Sequence, residues 1–156
     1  MTSRRPLVAS GGLTEQVQAG DSLGVRSSVN GTTSSPTSTN AAFVVIPEMT
    51  TTVTTIGGDL LCIFDSGFNL LSPNDSFNFA LFLDGVEVTG TRRQVTLSVS
   101  VTLGLINTDN QQPSGCHAFI TGVSAGAHTL TARWAVLAGT ARANLTQRKL
   151  TLVELF

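Results

Sequence analysis

The sequence predicts an all-β fold, a jelly-roll-like antiparallel β-sandwich of about eight strands with an extended N-terminal arm. Three observations carry that expectation. From residue 42 onward, apolar residues alternate or cluster in short runs between turn residues, and no helix-period stretch of useful length occurs. Phe77-Asn78-Phe79-Ala80-Leu81-Phe82-Leu83 and Val86-Glu87-Val88 flank Asp84-Gly85, and an Asp-Gly pair between strand-like runs is the strongest short-range hairpin signal. Residues 94–103 alternate cleanly, with Val95, Leu97, Val99, Val101 and Leu103 on one face and Thr96, Ser98, Ser100 and Thr102 on the other.

Residues 1–41 read as a docking arm and linker, and residues 42–156 as the sandwich. Within the arm, Leu7-Val8 and residues 13–18 form two short strands joined through Ser10-Gly11-Gly12, with a turn at residues 19–22. Residues 27–40 are Ser, Thr, Asn, Gly and Pro with Val29 as the only sizeable apolar residue. Alone, such a stretch buries too little surface to offset its ordering entropy, so it is expected to be mobile or extended. Leu7, Val8, Leu13, Val17 and Leu23 are too few to make a core. They suit strand addition to the sheet edge of a partner.

In the sandwich, residues 42–46 and 48–56 flank Pro47, which cannot donate to a ladder and so places this pair at an edge or bend. Residues 60–64 are continuously apolar, as in a strand covered on both faces. Asp65-Ser66-Gly67 and residues 72–75 read as turns. After the Asp-Gly hairpin and the alternating strand, the polar residues 107–115 form a candidate exposed tip. Residues 116–123, 127–137 and 145–155 complete the series, with one further short strand over residues 140–143. Leu130, Ala132 and Trp134 share a strand face, which places Trp134 in the core. Phe77 and Phe79 face one way and Phe82 the other, so both faces of that strand are partly apolar. Aromatic surface is costly to leave wet, and Phe77, Phe79 and Phe82 are therefore the candidate subunit-interface residues.

Composition argues against several functions. Charged residues make up 12% of the chain, about half the usual share, and the net charge is -1. No basic face for nucleic acid is suggested. No run of 18 apolar residues occurs, so no helical membrane span is expected, and the short apolar stretch after Arg4-Arg5 makes no secretion signal. Cys62 and Cys116 are expected as buried free thiols. They and the two histidines, His117 and His128, lack metal-ligand spacing, and no cofactor is implied. Acidic residues are scattered, and there is no phosphate-cradling glycine loop. Enzyme activity is not expected.

Two stretches resemble known proteins. Arg5-Pro6-Leu7-Val8, continuing through Gly11-Gly12 and Gln16 to Ala19-Gly20-Asp21-Ser22-Leu23, resembles a segment recurring in tailed-phage virion proteins. Residues 122–134, from Gly122-Val123 to Arg133-Trp134, together with residues 148–155, are similar to the late strands of trimeric jelly rolls. These include phage decoration and fibre-head domains and, more distantly, C1q/TNF-like heads. The resemblance implies a non-enzymatic virion structural protein. Its leading form is a homotrimeric capsid decoration (cement) protein that binds and stabilises the shell of major capsid protein. Such a protein would be assembled in the host cytoplasm and located in the virion. The alternative is a tail-fibre or receptor-binding head that binds a host receptor. A hydrolase acting on host polysaccharide stands as a reading from another class.

Overall fold

The computed structural model describes residues 7–10, 13–16, 24–32, 35–69, 75–96 and 111–155. The described strands are β1 (Leu7–Ser10), β2 (Leu13–Gln16), β3 (Gly24–Asn30), β4 (Thr37–Ser38), β5 (Val44–Thr55) and β6 (Gly58–Asn69). They continue as β7 (Ser76–Leu83), β8 (Val86–Glu87), β9 (Arg93–Thr96), β10 (Gln111–Val123), β11 (Gly126–Ala138) and β12 (Ala141–Leu155). One sheet runs β10-β6-β12-β3, with β4 also on β12. The other runs β5-β11-β7, with β8 and β9 sharing the outer edge of β7. From β5 to β7, and again from β9 to β12, each connection crosses between the sheets. Neighbours such as β5 and β11 are distant in sequence and antiparallel. Two such interleaved sheets make a jelly roll, as the sequence predicts.

Local chemistry sets the strand ends. Asp84 and Gly85 have φ of 50° and 84°, the left-handed pair that a two-residue hairpin requires. β8 pairs for only two residues before the chain leaves and returns as β9 on the same edge. The buried Thr91 hydroxyl spans the gap, accepting from the Leu81 amide at 3.1 Å and donating to the Val88 carbonyl at 2.7 Å. Pro47 lies in an edge strand, at a bulge where residues 46–49 stand opposite Ala132 alone.

The core lies between the sheets. β6 supplies Leu60, Cys62, Phe64 and Phe68, while β7 and β11 supply Phe77, Phe79, Leu81, Leu130 and Trp134. Phe68 contacts Phe77 and Phe79 at centroid separations of 4.9 and 5.2 Å, and Phe77 meets Trp134 edge-on at 6.2 Å. Such tilted and edge-to-face pairs add to the burial term.

Several expectations need correction. Residues 24–30 belong to the sandwich rather than to a separate arm, because β3 pairs along β12 with Val29 opposite Leu150. The ladder bonds are made by the backbone, so a Ser-rich composition does not prevent an edge strand from adding to a sheet already formed. Val29 packs against the core, and the Ser27 and Thr51 hydroxyls meet between the sheets. Asp65-Ser66-Gly67 is strand, not turn, and it pairs with Gly115, Ser114 and Pro113 of the supposed exposed tip. Two polar, turn-like segments thus satisfy each other's backbones. Residues 60–64 are covered on one face only, since Leu61 and Ile63 remain half-buried. The strand expected over residues 94–103 is described to Thr96, and its remainder lies outside the described residues.

Candidate interaction surfaces

The residues singled out for partner contact scatter. Leu7, Val8 and Leu13 lie in the β1–β2 hairpin, which pairs as its own two-stranded sheet, while Val17 and Leu23 lie outside the described residues. Phe77 and Phe79 are 0% exposed within the chain's own core, which corrects their assignment to a subunit interface. Side-chain parity along β7 is readable from sequence, but which parity faces inward is not. Phe82 does occupy the outer face, yet this chain covers it. The Phe43 ring packs at 5.3 Å and the Arg133 guanidinium lies 4.5 Å above. Arg92 in turn stacks over Phe43 at 5.0 Å and pairs with Glu87. Cation–π stacking of this kind keeps an aromatic ring shielded from water.

The two outer faces therefore differ. On the β5-β11-β7 sheet, Thr52 and Thr129 hydrogen-bond at 3.1 Å and Phe82 is roofed, while Val45 of β5 and Leu137 of β11 are exposed singly. The outer face of the β10-β6-β12 sheet has no such cover among the described residues. Phe119 stands opposite Leu61, and Leu61 opposite Val153, in one row across three strands. The next row is His117, Ile63 and Thr151. Phe119 is 56% exposed, Leu155 is 37% exposed, and Leu61, Ile63 and Val153 are half-buried. The sequence carried the signal in the apolar run 60–64, but Phe119 stands out only once register aligns it with Leu61.

The ionisable groups have modest chemical scope. Cys62 and Cys116 are free and buried, and they sit two positions out of register, with Cys62 opposite Ala118 and Cys116 opposite Phe64. Burial pushes both thiols up to about 12. Arg93 pulls Cys116 slightly down, while Asp65 and Cys62 push it further up. A cleft of 380 Å³ opens beside β6 and β10, lined by Asp65, Ser66, Gly67, Pro113, Ser114, Gly115 and Gln147. Asp65 is its only titratable wall, so no acid–base pair converges there. Among the described residues no three His, Cys, Asp or Glu side chains gather as a metal site. Among the described residues there is no helix long and apolar enough to cross a membrane.

Among the described residues, fold and surface together define a jelly-roll β-sandwich with an apolar row, Phe119, Leu61 and Val153, across the outer face of one sheet. No protein-family model matches the sequence, and no curated protein matches it. Among solved structures the chain is similar to the Eiger TNF from S. frugiperda, with TM-score 0.46 and 16% identity over 83% of this chain and 90% of that one. It is also similar to dimeric latent PorU from Porphyromonas gingivalis, with TM-score 0.42 and 11% identity over 88% of this chain. The match spans 14% of PorU. Neither likeness bears on what this chain binds.

Proposed function

We propose that this chain is a non-enzymatic virion structural protein, a homotrimeric decoration (cement) protein that binds and stabilises a capsid shell of major capsid protein. The observation that carries the reading is the uncovered row Phe119, Leu61 and Val153 across β10, β6 and β12. A contiguous apolar patch on a sheet otherwise built to face water favours association. A second copy of this chain offers a similarly sparse charge distribution and little to repel it. The segment over residues 5–23 resembles phage virion proteins. It supports contact with neighbouring shell subunits through strand addition.

The test has two arms. Light scattering of the purified chain should report a trimer, and Phe119→Asp should yield a folded monomer. Added to purified expanded capsids, the wild-type chain should bind to saturation at the threefold positions. A monomeric wild type, or capsids that take up none of it, sinks the reading. Binding to host cells without binding to capsids would move the protein to the tail, as a fibre head.

A further inference from the structure

His128 lies at the rim of the core face of β11, with its side chain 12% exposed. Its two ring nitrogens each face an acceptor. Nδ1 is 2.7 Å from Asp84 Oδ2 in the β7–β8 turn, and Nε2 is 2.9 Å from the Ser124 carbonyl in the β10–β11 turn. A carboxylate and a carbonyl cannot donate, so satisfying both contacts requires a hydrogen on each nitrogen. Asp84 is fixed as the acceptor because its other oxygen takes the Thr129 amide at 2.7 Å. The Ser124 carbonyl also accepts from the Thr55 hydroxyl at 2.7 Å, which brings the end of β5 into the same cluster.

We propose that His128 is a protonation-dependent clasp: as imidazolium it ties the β10–β11 turn to the β7–β8 turn, and on losing the Nε2 proton it releases Ser124 and loosens this end of the sandwich. The tautomer follows from the partners. Asp84 retains the hydrogen on Nδ1, so deprotonation leaves the Nε2 lone pair facing a carbonyl oxygen at hydrogen-bond distance, and the two repel. Besides Asp84, this end of the sandwich carries Asp59, which accepts from the Gly122 amide at 3.0 Å near the end of β10, and Glu154 on β12; of these charges only Asp84 acts on the ring. β5 places Val53 opposite the ring, β7 ends in Leu83 before Asp84, and the β10–β11 turn offers only a backbone oxygen. The carboxylate that the facing sheet presents at this end, Glu154, accepts from the Ile56 amide.

The electrostatics agree in sign. The Asp84 hydrogen bond, then that to Ser124, and the Asp84 charge raise His128 above its ordinary 6.5, against a smaller lowering by burial. The Thr129 amide and His128 hold Asp84 below its ordinary 3.8. The clasp is therefore fully formed from about pH 4 to the ordinary histidine range, and it opens as pH rises through the folded value. This inference concerns the turns and does not depend on the capsid reading.

Imidazole nitrogen shifts of the full-length chain, followed by NMR, test it directly. Both nitrogens of His128 should be protonated at about pH 6, and Nε2 alone should lose its proton above that. Over the same titration, amide exchange at residues 124–126 should accelerate beyond the intrinsic base-catalysed rate. His128→Gln should remove that extra acceleration, and His117→Gln should keep it. Asp84→Asn should move the His128 midpoint down, a readout that stands even if His128→Gln folds poorly. A neutral His128 at about pH 6, exchange indifferent to its titration, or an unmoved midpoint in Asp84→Asn overturns the proposal.

Discussion

Arg148 on β12 reaches between the sheets to Glu48 on β5, with Nη2 2.9 Å from Oε2 and the arginine side chain wholly buried. Glu48 sits in the bulge around Pro47 at a φ of 68°, a conformation that few non-glycine residues hold. Its carboxylate also accepts from the Thr32 amide at 2.8 Å and hydroxyl at 3.1 Å, while Arg148 Nη1 donates to the Asn144 carbonyl at 2.6 Å. Gly31 makes the space, because a Cβ there would lie 2.5 Å from Arg148 Nε. The pair joins the end of β3, the bulge of β5 and the stretch of β12 where its register with β6 shifts between Ala143 and Arg148.

Removing one partner should therefore be far worse than removing both. Glu48→Ala strands a buried guanidinium and should cost about 3–5 kcal/mol, the usual penalty for breaking a buried ion pair. The double variant Glu48→Leu with Arg148→Met should regain most of that. Urea unfolding of the three proteins measures it. A single variant as stable as wild type would show that water or a rearranged neighbour replaces the carboxylate.

Trp134 is 1% exposed and packs against Phe77, so Trp134→Ala removes the largest core side chain. The expected loss is about 3–5 kcal/mol, as for other large-to-small core changes. The midpoint of denaturant unfolding should fall, with little change in the slope.

The elements legible in sequence were those whose side chains carry the signal. The Asp84-Gly85 turn and the alternation around Trp134 announce themselves because turn type and core burial are side-chain properties. Edge pairing is a backbone property. Hence β3, with Ser27 and Ser28, and the start of β10, with Pro113 opposite Gly67, looked like linker and loop. The same limit hid the surfaces. Leu61 and Phe119 lie 58 positions apart and become one patch only through register, as Asp84 and His128 become one clasp through the pairing of β7 with β11.

The two thiols should be inert in the native protein. Burial raises Cys62 and Cys116 from an ordinary 9.0 to about 12, so almost no thiolate forms at neutral pH. Iodoacetamide at about pH 8 should label neither residue in the folded chain and both in urea, as peptide mass analysis would reveal. The sign also fixes the alkaline behaviour. The folded state holds these protons while the unfolded chain releases them, so stability should fall as pH rises beyond 9. Prompt native labelling would mean that β6 and β10 part readily.

Truncation separates the segment that precedes the sandwich from the strand that completes it. Deleting residues 1–23 leaves β3 paired to β12 and should leave the thermal transition nearly unchanged. If that segment is what grips a shell, capsid uptake should collapse. Deleting residues 1–40 removes β3, the Thr32 contacts to Glu48 and the bonds by which Pro36 and Asn40 accept from the Ala143 and Val136 amides. It also bares the edge of β12 and one flank of Arg148. An exposed edge of unpaired backbone groups invites aggregation, so this longer deletion should melt early and precipitate. Circular dichroism melts of the two truncations, read beside their capsid binding, distinguish a docking defect from a folding defect. A 1–40 deletion that melts like wild type would show that the sandwich closes without β3.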